Sequence, residues 1–160
     1  MDNLIENILT KLEDGLNKKD VQHFLYGVGL ETIPKSMANQ GVIVVNPIST
    51  DIEPVTTGVT DEESYSLEII LVKNTQTEFY QNSQKEGSIK YLVRIMEGRD
   101  AGKGLSTNTV RYIIRTNFRN FGLLQNNISI EYDTDDVNGL GLVTATMTLT
   151  QVDHTSQLIS

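Results

Sequence analysis

The 160-residue chain contains no cysteine. A disulfide framework, a thiolate nucleophile and a cysteine-based zinc site are therefore excluded, and the composition is compatible with a reducing compartment. No apolar run approaches the ~20 residues that a membrane-spanning helix needs. The opening stretch MDNLIENILTKLEDGL lacks a basic segment followed by an apolar one, so a soluble protein without an export signal is expected. Positive charge is also scarce: 13 lysines and arginines face 21 aspartates and glutamates, for a formal net charge of −8. A general nucleic-acid binder needs a basic surface to neutralise phosphates, so the balance argues against one. The bases are nevertheless clustered, eight of the thirteen lying between Lys85 and Arg119 beside three acids.

At this length one compact domain buries about two-thirds of its unfolded surface. Leu4, Ile5, Ile8, Leu9, Leu12 and Leu16 recur at helical spacing, which predicts an amphipathic helix over 3–17 with Asp2 or Asn3 as its cap. A short second helix is expected over 19–26, then an irregular loop through YGVGLETIPKSMANQG. GVIVVNP reads as a strand ended by Pro47, and SYSLEIILVK, 64–73, as the clearest strand of the chain. Between them STDIEPVTTGVTDEES suggests an extended segment over 51–57 and an acidic turn.

Residues 74–85 are polar with two aromatics. Beyond them, Ile89, Leu92, Val93 and Met96 fall on one helical face, and Gly98 ends that helix. Ser106 or Thr107 is expected to cap a further helix carrying Val110, Ile113, Ile114 and Phe118. NNISIEYD and LGLVTATMTLTQVD form a hairpin candidate, with Asn138-Gly139 as its turn signal. In the last strand Val143, Ala145, Met147 and Leu149 alternate with Thr144, Thr146, Thr148 and Thr150, so one face is buried and the other is solvated or pressed on another subunit. The order predicts an α+β fold, a mostly antiparallel sheet packed on one face by two or three helices. One domain is expected over 1–152, with a loose tail over 153–160.

Catalytic patterns fail one by one. GRDAGKG, 98–104, is one residue short of a phosphate-binding loop, follows a helix, and has Gly104 where the magnesium-binding hydroxyl belongs. DTDDVNG, 133–139, has its glycine one place late for a calcium loop and Thr144 at the twelfth position. His23 and His154 are not paired at ligand spacing and read as surface residues. Glu53, Glu62, Glu63 and Glu68 show no acid/base pairing by spacing, and Glu68 shares a polar strand face with Ser64 and Ser66. No enzyme, metal or cofactor is expected.

One feature calls for a partner. Arg111, Arg115 and Arg119 stand four apart in VRYIIRTNFRN, forming a cationic ridge whose like charges repel by a few tenths of a kcal/mol per pair. The ridge is either a solvated helix face or one relieved by acid, from Asp61, Glu62 and Glu63 or from Asp133, Asp135 and Asp136, on this chain or on a neighbouring copy, or from a nucleic-acid phosphate backbone. A basic face against an acidic edge of an identical subunit is a heterologous contact, which builds rings when the rotation closes.

The N-terminal amphipathic helix, GVIVVNPISTDIEPVTTGVTDEESYSLEIILVKN, KYLVRIMEGRD, LSTNTVRYIIRTNFRN and the closing strand pair together resemble the tail terminator proteins of long-tailed bacteriophages, over roughly residues 3–152. The chain departs from the shortest members in its extended 74–88 segment and its C-terminal tail. The resemblance implies a virion protein, assembled in the host cytoplasm, that forms a hexameric ring on the last ring of the tail tube. Such a ring stops tube polymerisation and joins the tail to the neck or head-completion protein, with a sheath as a further partner where one is present. Within it Thr144, Thr146, Thr148 and Thr150 are candidates to line a lumen through which DNA passes without specific binding. Another neck or tail virion protein, such as a head-tail adaptor or tube subunit, and a small DNA-binding module are the alternatives.

Overall fold

The computed structural model describes residues 1–54, 60–75, 78–81, 84–101, 104–117, 127–135 and 139–157. The fold is α+β. Helix α1 (Asp2–Gly15) opens the chain, followed by β1 (His23–Tyr26), a 3-10 turn (Leu30–Thr32), the short α2 (Lys35–Ala38), β2 (Val42–Pro54) and β3 (Thr60–Asn74). Next come β4 (Glu78–Gln81), β5 (Gln84–Gly87), α3 (Ser88–Glu97), α4 (Val110–Thr116), β6 (Asn127–Asp133) and β7 (Leu142–Gln157). Five strands form one sheet in the order β1-β2-β3-β7-β6, antiparallel except for β1 beside β2. β4 and β5 form a separate antiparallel hairpin.

Alternation along the strands assigns the two faces. Ile43, Val45, Leu67, Ile69, Leu71, Val143, Ala145, Met147 and Leu149 point to the side covered by α1, α3 and α4. These helices contribute Leu4, Ile5, Ile8, Leu12, Tyr91, Leu92, Ile95, Met96, Val110, Ile113 and Ile114 to the same core. α1 and α4 approach closely at Gly15, where an added Cβ would lie 2.6 Å from Ile113 Cδ1. Val42, Val44, Ile70, Val72 and Leu142 face the other way and are covered at that end by Ile33 and Ala38 of the 3-10 turn and α2. Past Ile70 this second face turns polar and open.

Several expectations need correction. The predicted helix over 19–26 is a turn closed on Asn17 O by the amides of Asp20 and Val21, then a strand parallel to β2. His-Phe-Leu-Tyr is favoured there because it alternates between the two apolar clusters, Phe24 on one and Leu25 on the other. Pro47 does not end its strand. Gly27 N–H donates to Val45 O, so Val45 turns its backbone groups to β1, and Pro47, two residues on, faces the same edge beyond the end of β1, where its missing N–H costs no ladder bond. A bulge between Pro47 and Ser49 then lets β2 run to Pro54.

Likewise the acidic turn at Asp61–Glu63 is strand, paired with both β2 and β7. The tail expected from residue 153 continues as β7 to Gln157, opposite Thr60, because the lengthened β3 offers it a ladder. On α3 the buried face is Tyr91, Leu92, Ile95 and Met96, while Ile89 and Val93 are exposed. Tyr91 turns the helix, its ring buried and its hydroxyl donating to Asp20 O. α4 is capped by Thr109 rather than Ser106 or Thr107, the Thr109 hydroxyl accepting from Tyr112 N–H at 3.2 Å. Phe118 and Asn138 lie outside the described residues.

Candidate functional site

Of the three arginines of the expected ridge, Arg111 and Arg115 are among the described residues. α4 ends at Thr116 with Asn117 as its C-cap, and Arg119 lies outside the described residues. Arg111 is engaged within its own chain: Nη1 donates to Glu97 Oε1 at 3.3 Å, while Glu97 Oε2 accepts from the Tyr132 hydroxyl at 2.5 Å. That chain of contacts ties α4, α3 and β6 together, so Arg111 is a fastening inside the subunit. Burial, reinforced by the Glu97 hydrogen bond, pushes the Tyr132 hydroxyl above its ordinary range. Arg115 is exposed.

The two acidic groups lie at opposite ends of the sheet. Glu62 pairs with Thr155 and Asp133 with Thr144 on β7, so eleven residue steps separate them, about 35 Å along the strand. Asp61 is opposite Pro54, Glu62 is opposite Glu53, and Glu63 is opposite Ile52. Glu63 also accepts from the Tyr65 hydroxyl, whose pKa is pushed up to about 12 by burial and then by that bond. Asp133 and Asp135 are exposed at the other corner. Asp136 lies outside the described residues.

The threonine face divides in the same way. Thr144 is buried beside Val72 under the α2 end and cannot line an open surface. Thr146, Thr148 and Thr150 are half-exposed. Across the sheet Thr148 is flanked by Glu68 and Ser129, and Thr146 by Ile70 and Glu131. Further out, Asp51 pairs with Ser64 and Glu53 with Glu62 on the same face. Past Ile70, from Glu131 to Glu53, this open surface therefore carries five carboxylates, Asp51, Glu53, Glu62, Glu68 and Glu131, set among serine and threonine hydroxyls. No lysine or arginine among the described side chains lies on it. Like charges placed opposite each other, as in Glu53 and Glu62, work against the isolated fold, so stability does not account for the pattern.

Behind the sheet a second polar group is internal. Arg94 on α3 donates from Nη1 and Nη2 to the Asp20 carboxylate at 3.1 and 3.0 Å, and from Nε and Nη2 to Glu86 at 2.9 Å each. Beside it Lys73 is fully buried, donates to Asn39 O and lies 4.6 Å from the centre of the Tyr91 ring. Burial lowers the Lys73 pKa to about 8, against the pull of Asp20. Four sequence-distant pieces meet here: the turn before β1, the end of β3, the base of the β4–β5 hairpin and α3. Sequence spacing gave no hint of this group, since Asp20 and Arg94 are 74 residues apart.

His23 Nε2 lies 2.6 Å from Gln40 Oε1 beside α2. Among the described residues no three histidine, aspartate or glutamate side chains converge as metal ligands. Nor is any helix among them long and apolar enough to cross a membrane. Compared with protein-family models and with curated proteins, the chain matches none.

Proposed function

We propose that the protein is a structural subunit of a bacteriophage tail, a terminator whose copies form a hexameric ring that caps the tail tube and joins it to the neck. In this reading the protein acts in the virion, is assembled in the host cytoplasm and performs no chemistry. The observation that carries it is the open sheet face past Ile70, five carboxylates among hydroxyls with no described cation. A surface that lines a passage for DNA must not hold it, and fixed negative charge repels the phosphate backbone at short range. Threonine and serine keep such a wall wetted without a base to bind phosphate. The same charge disfavours the small DNA-binding module, which would place cations on the surface that meets DNA.

Identical subunits also need two mating surfaces each. The outer edge of β2 beyond Val45, on the side away from β3, and the outer edge of β6 have no partner strand among the described residues, and both leave backbone groups available at the sides of the subunit.

The test uses the absence of native cysteine. Thr148→Cys provides a single thiol on the open face, and a gold-labelled sample is imaged by negative stain after light scattering has given its mass. The expected result is a ring with label in its central opening. A protein that stays monomeric up to high concentration, or rings labelled on the outer rim, overturns the reading.

A further inference from the structure

Five large apolar side chains are exposed among the described residues: Tyr26, Ile48, Ile52, Ile89 and Val93. Tyr26 donates its hydroxyl to Asp2. The other four fall on two surfaces of opposite charge. Ile48 and Ile52, 52% and 56% exposed, sit on the arm made by β2 beyond Pro47 and the β3 segment opposite it. Ile89 and Val93, 50% and 41% exposed, sit one turn apart on the outer side of α3.

The arm is acidic throughout. Its described charged side chains are Asp51, Glu53, Asp61, Glu62 and Glu63. All eight residues from Pro47 to Pro54 are exposed, which makes an extension of about 25 Å. Ile52 stands beside Glu63 on the side facing the helical layer, and Ile48 is the extra residue of the bulge. Around α3 the sign reverses. Arg94 is committed to Asp20 and Glu86, and Arg111 to Glu97. Lys90 and Arg99 are exposed on and just past this helix, and Asp100 is the one exposed carboxylate among the described residues of 88–100.

We infer that the arm of one copy seats on the outer side of α3 of a second copy, Ile48 and Ile52 against Ile89 and Val93, with Asp61 and Glu63, the carboxylates on the Ile52 side of the arm, facing Lys90 and Arg99. The second copy as occupant rests on the ring reading; the choice of surfaces rests on apolar and charge complementarity. Each pair is too exposed to be satisfied within one chain. A contact between two different surfaces runs head to tail, and it closes into a ring or extends into a filament according to its rotation. The inference also assigns a task to the internal group at Arg94: by fixing α3 to β5 and to the turn before β1, it sets the plane on which the arm lands.

The test again exploits the cysteine-free background. Ile52→Cys and Val93→Cys are made as separate chains, both at exposed positions, and their far-UV spectra and melting temperatures are compared with the parent. The two are mixed and oxidised mildly. A disulfide between the chains, absent when either variant is oxidised alone, is the expected result, and the chain carrying both substitutions should give a closed covalent oligomer. Rings that form without this disulfide overturn the contact and leave the ring reading standing. The disulfide in open-ended filaments sustains the contact and overturns the ring. Dimers joined only through Cys at position 52 of each chain overturn the head-to-tail arrangement, and a strict monomer with no disulfide overturns both.

Discussion

Replacing Arg94 with methionine tests the internal charge group. The side chain is 29% exposed, but its partner Glu86 is only 4% exposed and receives two of its four hydrogen bonds. Methionine keeps the stem that packs near Tyr91 while leaving the Glu86 carboxylate buried without its cation. Removing one member of a buried pair costs about 3–5 kcal/mol because the surviving charge is uncompensated. Asp20 is 22% exposed and can recruit water, so it adds little. The expected loss is therefore about 3 kcal/mol, a large share of the roughly 5–15 kcal/mol that holds a domain of this kind together. The assay is urea denaturation followed by far-UV circular dichroism, for the parent, Arg94→Met, Glu86→Gln and the double variant. Glu86→Gln removes the stranded charge, so the double variant should be markedly more stable than the sum of the two single losses predicts, with a coupling of about 1.5–3 kcal/mol. A loss below about 1 kcal/mol for Arg94→Met, or strictly additive losses, would show that the pair behaves as a surface ion pair and would refute the reasoning.

Two further outcomes follow from charges already described. Lys73 has a folded pKa of about 8 against an ordinary 10.5, so between those values the unfolded chain holds more protons and stability should rise with pH. Above about pH 10 the tyrosines reverse the trend, since Tyr65, raised to about 12, ionises first in the unfolded chain. Urea midpoints measured across this range should peak near pH 10, and Lys73→Met should abolish the rise; a steady fall from pH 8 upward contradicts the burial argument. On the arm, Glu62→Lys replaces a like-charge pair with Glu53 by an opposite-charge one. It should raise the stability of the isolated chain by about 0.5 kcal/mol, read as a higher urea midpoint. A lower midpoint would contradict the repulsion assigned to the Glu53–Glu62 pair.

Much of the fold could be read from the chain because strict alternation is a strong local signal. The strand from Thr144 to Thr150 and the stretch from Ser64 to Ile69 each announce one apolar and one polar face, and the structure places Glu68, Ser66 and Ser64 on the polar side, as the spacing predicts. Helix α1 was equally legible from its six apolar positions. The misreadings have a common physical origin, in that a tertiary neighbour supplied what the local sequence lacked. Pro47 sits within a strand because β1 stops short of it. Residues 23–26 become a strand because β2 offers a parallel edge and both faces offer apolar cover. Tyr91 rotates α3 because Asp20 O lies within reach of its hydroxyl. The surface roles were harder to read, since exposure of Ile52 or commitment of Arg111 to Glu97 depends on contacts far away in sequence.

The two charged regions sit on opposite sides of the sheet and differ in kind. At Arg94 both signs are present, each charge is met by geometry, and Glu86 is shielded from water. On the open face one sign is repeated over a long surface, and Glu53 stands directly across from Glu62. A domain selected for its own stability would intersperse lysines there, as bases elsewhere in the chain show it can. Keeping eight of thirteen bases between Lys85 and Arg119 and none among the described side chains of the open face separates a wall that repels phosphates from a helical side that can receive an acidic arm. If the arm binds there, assembly neutralises Asp61 and Glu63 on its helical-layer side and leaves the wall charged. The segregation is then accounted for by the ring, and a monomeric function would have to supply another reason for it.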